Sequence, residues 1–295
     1  MIRRGTYSIV ARDPQSGELG VAVQSHWFGV GPIVAWARAG VGAVATQSIA
    51  EPAFGPRLLD RVAAGERPEA ALTAVLGDDA QARYRQVAVI DAAGSVAVHT
   101  GPDCIAFAGD AAGDGFSVQA NMMASPDVWP AMATAFGASS GPLARRLAAT
   151  LDAAEAAGGD ARGRQSCALL VVPSAGEPWR ASVDLRIDDH DDPLGELHRL
   201  LDLHDAYELA NAGDELAGEG RHEEAGERYA RAAAIAPDNH ELLFWAGLAA
   251  AQGGDLDGGV ARVRRAIALH PGWRALLERL DAEIAPSAQA VLEAL

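Results

Sequence analysis

The chain changes character near residue 200, and one fold cannot accommodate both parts. Before that point, short Val-rich runs are broken by Gly, Pro, Asp and Ser, the texture of strands and turns. After it, Ala, Leu, Glu and Arg recur at helical spacing. A boundary inside 193–205 divides the 295 residues into one domain over 1–200 and a second over 201–295. The charge changes at the same place. Residues 1–200 carry 23 acids and 16 arginines, whereas the shorter remainder carries 17 acids and 8 arginines.

The second part repeats. Leu209, Gly213, Ala225, Tyr229, Ala232 and Pro237 return thirty-four residues later as Leu243, Gly247, Gly259, Val263, Ala266 and Pro271. The period and the small residues resemble the tetratricopeptide repeat over 206–273, with a further helix expected at 274–284 as a cap. Two such repeats are fewer than the three or so that usually stand alone. The tail is therefore expected to lean on the first domain, or to use 206–284 for a protein partner or self-association.

In the first part, period and turn residues predict strands at 6–12, 19–24, 42–47, 86–90, 95–100, 105–108, 116–121, 165–172 and 181–188. Helices are predicted at 56–64, 68–76, 126–136 and 142–156, each with a proline near its start. Ser125-Pro126-Asp127 reads as an N-cap, a first-turn proline and a first-turn acid. Antiparallel strand batches around paired helices predict an α+β sandwich: two stacked sheets with helical outer layers.

Several ordered segments resemble one family. They are Thr6-Tyr7-Ser8-Ile9-Val10-Ala11-Arg12-Asp13, the run from Gly40 to Gln47, Val118-Gln119-Ala120-Asn121-Met122, the run from Gly158 to Ser166, and Asp184 to His190. Together they resemble DUF1028, an uncharacterised group in the N-terminal nucleophile (Ntn) hydrolase superfamily. The resemblance covers about 5–200 and implies a four-layer αββα sandwich, here followed by a small all-α repeat domain. It also implies an amidohydrolase mechanism in which a Thr, Ser or Cys at the mature N-terminus is the nucleophile and its own α-amine the base. An α-amine titrates near 7.7–8.0, which suits the return of a proton at working pH.

On that resemblance Thr6 is the expected nucleophile, exposed by autoproteolytic removal of residues 1–5 at a Gly5–Thr6 junction. Asn121, at a strand end, is the expected oxyanion donor. Asp160, Arg162, Arg164 and Gln165 lie in the Gly-rich run, where forked guanidinium donors suit a substrate carboxylate. Ser25, His26 and Gln47 are placed with them as substrate-binding candidates. The expected substrate is a small amide, with or without a carboxylate. The rival reading is a non-catalytic Ntn-like scaffold whose helical tail carries the interactions.

Composition narrows the chemistry further. All 24 basic residues are Arg, so no lysine Schiff base, lysine general base or P-loop lysine is available. The absence of lysine also departs from proteasome-type sites and leaves the penicillin-acylase-like variant as the nearer analogy. A net charge of -16 argues against a nucleic-acid partner. No apolar run approaches the roughly 20 residues of a bilayer span, and the basic N-terminus lacks a signal-peptide core. A cytoplasmic oligomer without membrane attachment, metal or cofactor is expected. Asp188 to Asp192 reads as a solvated acidic turn, and Cys104 and Cys167 as buried strand residues.

Overall fold

The computed structural model describes residues 5–295. The chain divides between Arg199 and Leu200 into two compact units. The first opens with β1 (Thr6–Arg12), β2 (Leu19–Ser25), α1 (Gly31–Val34), β3 (Ala35–Arg38) and β4 (Gly42–Ser48). The helices α2 (Phe54–Ala63) and α3 (Pro68–Gly77) follow, then β5 (Arg85–Asp91), β6 (Val96–Thr100), β7 (Gly109–Gly113) and β8 (Phe116–Asn121). The unit continues through α4 (Val128–Ala138), α5 (Leu143–Ala156), β9 (Ser166–Val172) and β10 (Val183–Ile187).

Among the described residues, six strands form one sheet in the order β10-β9-β2-β1-β8-β7, and four form another in the order β3-β4-β5-β6. Neighbouring strands pair antiparallel. The larger sheet carries α4 and α5, and the smaller one α2 and α3. The other faces of the two sheets meet each other. Val10, Val21 and Val23 pack there against Ala43, Ala45, Ala88 and Ile90. On the smaller sheet the alternate residues Val44, Val87 and Val89 turn the opposite way, onto Leu58, Leu59 and Leu72.

This double cover explains why the central strands have no solvent-facing side: β1 is buried along nearly its whole length. Gly20 of β2 lets α5 approach closely, since a Cβ there would stand 2.6 Å from Leu147 Cδ1.

Three local expectations need correction. Residues 105–108 form no strand. Their hydrogen bonds go to the segment after β8 (Met122 N to Ile105 O, 2.8 Å; Met123 N to Phe107 O, 3.0 Å), and the ladder is taken up by β7 instead. Cys104 accordingly lies outside any strand and is half-buried, whereas Cys167 is a buried residue of β9. Ser125 does not cap α4. Its hydroxyl accepts from Asp127 N at 3.1 Å, closing a turn before the helix begins at Val128.

The second unit is helical: α6 (Pro193–Gly218) runs into it, followed by α7 (His222–Ile235), α8 (His240–Gln252), α9 (Leu256–Leu269), α10 (Gly272–Leu277) and α11 (Ala288–Ala294). Both ends of α9 lie thirty-four residues beyond those of α7. The helix expected at 274–284 is replaced by the short α10 and the later α11. Leu277, Ala285, Ala288 and Val291 from this region join the core containing Phe244 and Val263.

Candidate active site

The strand register assembles the centre. Thr6 begins β1 and lies directly between Ser25 of β2 and Asn121 of β8. Residues far apart in sequence thus occupy one row at one end of the larger sheet. All three are buried, with Thr6 only 1% exposed.

The polar groups converge on the carbonyl oxygen of Gly5. Thr6 Oγ1 lies 2.6 Å from it, Ser25 Oγ donates to it at 2.5 Å, and Arg162 Nη2 donates at 2.8 Å. Thr6 Oγ1 also lies 3.1 Å from Ser25 Oγ. The peptide bond that joins Gly5 to Thr6 therefore has its oxygen held by hydroxyl and guanidinium donors, with the Thr6 hydroxyl alongside. Donors on a carbonyl oxygen polarise the carbon and stabilise negative charge that develops on the oxygen during attack.

The Gly-rich run supplies the guanidinium. Gly158, Gly159 and Gly163 have φ of 120°, 58° and 100°, a backbone that side chains disfavour. The turn they form places Asp160 beneath Gly5. The Asp160 carboxylate grips Arg162 through Nε at 3.1 Å and Nη2 at 2.8 Å, and also accepts from Arg162 N at 2.9 Å and His26 N at 3.2 Å. This fork fixes the Arg162 rotamer and aims its outer nitrogen at Gly5.

Arg162 is a residue expected to anchor a substrate carboxylate. Its guanidinium is directed at the protein's own Asp160 and Gly5. Arg164 meets Asp192 at 3.0 Å and Glu155 at 3.5 Å, and Gln165 donates to Asp189 at 3.0 Å. These contacts direct Arg164 and Gln165 to internal carboxylates. His26 contributes its backbone N–H to Asp160, while its ring Nδ1 lies 3.3 Å from the Arg164 carbonyl.

Asn121 and Gln47 serve the far side of Thr6. Asn121 Nδ2 lies 3.4 Å from the Thr6 carbonyl oxygen and donates to Gln86 Oε1 at 2.9 Å. Gln47 Nε2 donates to the same Thr6 oxygen at 3.2 Å and to Gln86 Oε1 at 2.8 Å. Asn121 therefore braces the start of β1 from the neighbouring strand of the same sheet, while the Gly5 oxygen, where it was expected to donate, is met by Ser25 and Arg162.

Gln86, Gln119 and Ser8 complete this buried network, with Ser8 Oγ 2.6 Å from both Gln47 Oε1 and Gln119 Nε2. No sequence motif assigns a role to these three residues. The available signal was amides and hydroxyls at alternate positions of strands flanked by apolar residues, which require buried partners. Residues 1–4 of the expected leader lie outside the described residues; Gly5 is buried.

A family model described as a family of unknown function, DUF1028, matches residues 6–197. A crystal structure of a DUF1028 protein from Silicibacter pomeroyi is 35% identical, with a TM-score of 0.62, covering 67% of this chain and 84% of its own. Anbu (ancestral beta-subunit) from Yersinia bercovieri aligns at 12% identity with a TM-score of 0.34, over 65% of this chain and 91% of its own. No curated protein matches the chain.

Proposed function

The chain belongs to the DUF1028 family, and on that premise we propose that its first unit is a four-layer αββα hydrolase of the Ntn type. It cuts its own Gly5–Thr6 bond and then uses Thr6 to hydrolyse amides of small substrates. The observation that carries this reading is the Gly5 carbonyl oxygen, with Thr6 Oγ1 at 2.6 Å, Ser25 Oγ at 2.5 Å and Arg162 Nη2 at 2.8 Å.

In the first step Thr6 Oγ1 adds to the Gly5 carbonyl carbon. The Gly5–Thr6 C–N bond breaks, and the hydroxyl proton ends on the Thr6 nitrogen. Water hydrolyses the resulting ester, leaving a Gly5 carboxylate, a free hydroxyl and a free α-amine. In the mature site that amine takes the Oγ1 proton as the hydroxyl attacks a substrate amide, then returns it to the leaving amine, and water hydrolyses the ester left on Oγ1 to a carboxylate and a free Thr6 hydroxyl. Ser25 Oγ and Arg162 Nη2 hold the oxyanion in both reactions. No lysine is required, which agrees with a chain whose basic residues are all Arg.

The experiment is the intact mass of untagged protein, followed over time beside Thr6→Ala. Wild-type chains are expected to begin at Thr6, while Thr6→Ala stays uncut. A wild-type chain that keeps residues 1–5 overturns the reading.

For the second unit the reading is a tetratricopeptide-like pair with a helical cap. It is supported by the thirty-four-residue displacement between α7 and α9. Gly247 supports it too, because a Cβ there would stand 2.8 Å from the Gly259 carbonyl oxygen.

A further inference from the structure

We infer that the acyl subsite beside Thr6 accepts only acyl groups without an L-side chain next to the carbonyl, and that N-acylglycyl amides are its substrate class. The inference rests on the self-cleaving reading above and goes beyond it to specificity. Gly5 is the acyl group of the first reaction, and its position marks where a later acyl group lies when Ser25 and Arg162 hold the carbonyl oxygen.

A Cβ on Gly5 would stand 2.8 Å from both Asp160 carboxylate oxygens and 2.9 Å from Asp160 Cγ. Such separations are below van der Waals contact, so something must shift. Asp160 has little freedom to do so. Its side chain is fully buried, and its oxygens are held by Arg162 N, Nε and Nη2 and by His26 N. Displacing the carboxylate also displaces the guanidinium that it aims at the Gly5 oxygen. A side chain at this carbon thus meets a rigid wall and simultaneously weakens the oxyanion donor. The nitrogen of Gly5 continues into the leader, so an acylated nitrogen belongs to the group that the site handles.

The experiment has two arms. The first compares self-cleavage of wild type and Gly5→Ala by intact mass, with circular dichroism to confirm folding. The second uses the processed wild-type product on N-acetylglycine p-nitroanilide and N-acetyl-L-alanine p-nitroanilide. Gly5→Ala is expected to cleave about 100-fold more slowly, and the alanyl anilide to show kcat/KM lower by about the same factor. If Gly5→Ala does not fold, the anilide arm alone decides. Cleavage of the two anilides at similar kcat/KM, or of Gly5→Ala at the wild-type rate, overturns the specificity and leaves the self-cleaving reading standing. A wild-type chain that never loses residues 1–5 overturns both.

Discussion

At the scale of single residues, a short list of side chains decides the proposed chemistry, and their reach is set by what holds them. Arg162 is aimed by Asp160, so Arg162→Met is expected to slow self-cleavage by about 10²–10³-fold, the usual cost of one oxyanion donor. A time course of intact mass measures this, and an unchanged rate would remove Arg162 from the site. Cys167 shows the opposite case. Burial first, then the carboxylates of Asp152, Asp192 and Glu196, push its thiol up to about 12. Almost no thiolate exists at pH 8, and iodoacetamide is expected to leave Cys167 unmodified in the native protein and to label it after unfolding.

Asp79 is a stability site away from the proposed chemistry. Its hydrogen bond from Arg85, at 2.6 Å, holds its carboxyl below the usual range, against the opposing effect of burial. The associated stability is present above the unfolded-state pKa of about 3.9 and is lost as pH falls through the lower folded value. Asp79→Asn should therefore cost about 1–3 kcal/mol at pH 7. Urea melts should show the gap to wild type narrowing below about pH 4.

At the scale of elements, period and punctuation located most strands and helices of the first unit. The strand read at 6–12 is β1 itself, and the one at 116–121 is β8. Misreadings occurred where a tertiary contact outweighed local pattern. Residues 105–108 look like a strand, yet their backbone partners are Met122 and Met123. The short β3 was missed because only four residues carry it, and they are half-buried on the edge of the smaller sheet. The thirty-four-residue period of the sequence is also the offset between the boundaries of α7 and α9.

Close approach between helices makes a testable demand here. A Cβ on Gly259 would stand 2.5 Å from the Gly247 carbonyl oxygen. Gly259→Leu is expected to destabilise the helical unit by about 1–3 kcal/mol, through separation of α8 from α9. Thermal melts followed by far-ultraviolet circular dichroism measure it, and a melt like wild type would show that the helices have room.

At the scale of the whole molecule, the residues specify two compact units, each containing buried apolar clusters of its own. The net charge of -16 predicts retention on an anion exchanger at pH 7 and passage through a heparin column at low salt. Heparin binding would reveal a local basic face hidden by the sum. Among the described residues no helix is long and apolar enough to cross a membrane.

The sequence by itself determined the strand and helix menu, the change of texture near residue 200, the thirty-four-residue period and the exclusion of lysine chemistry. These are properties of composition and of periodicity along the chain. It also singled out Thr6, Ser25, Asp160 and Arg162 as types suited to a site, but not their arrangement. Only the tertiary structure decided that Arg162 and Ser25 hold the Gly5 oxygen, that Asn121 and Gln47 brace the other side of Thr6, and that Arg164 turns to Asp192 and Glu155. Those assignments depend on antiparallel register and on one turn folding beneath β1. Contacts such as Arg162 with Gly5, 157 positions apart, and Asn121 with Thr6, 115 apart, are set by the packing of strands and turns, and spacing along the chain carries no record of them.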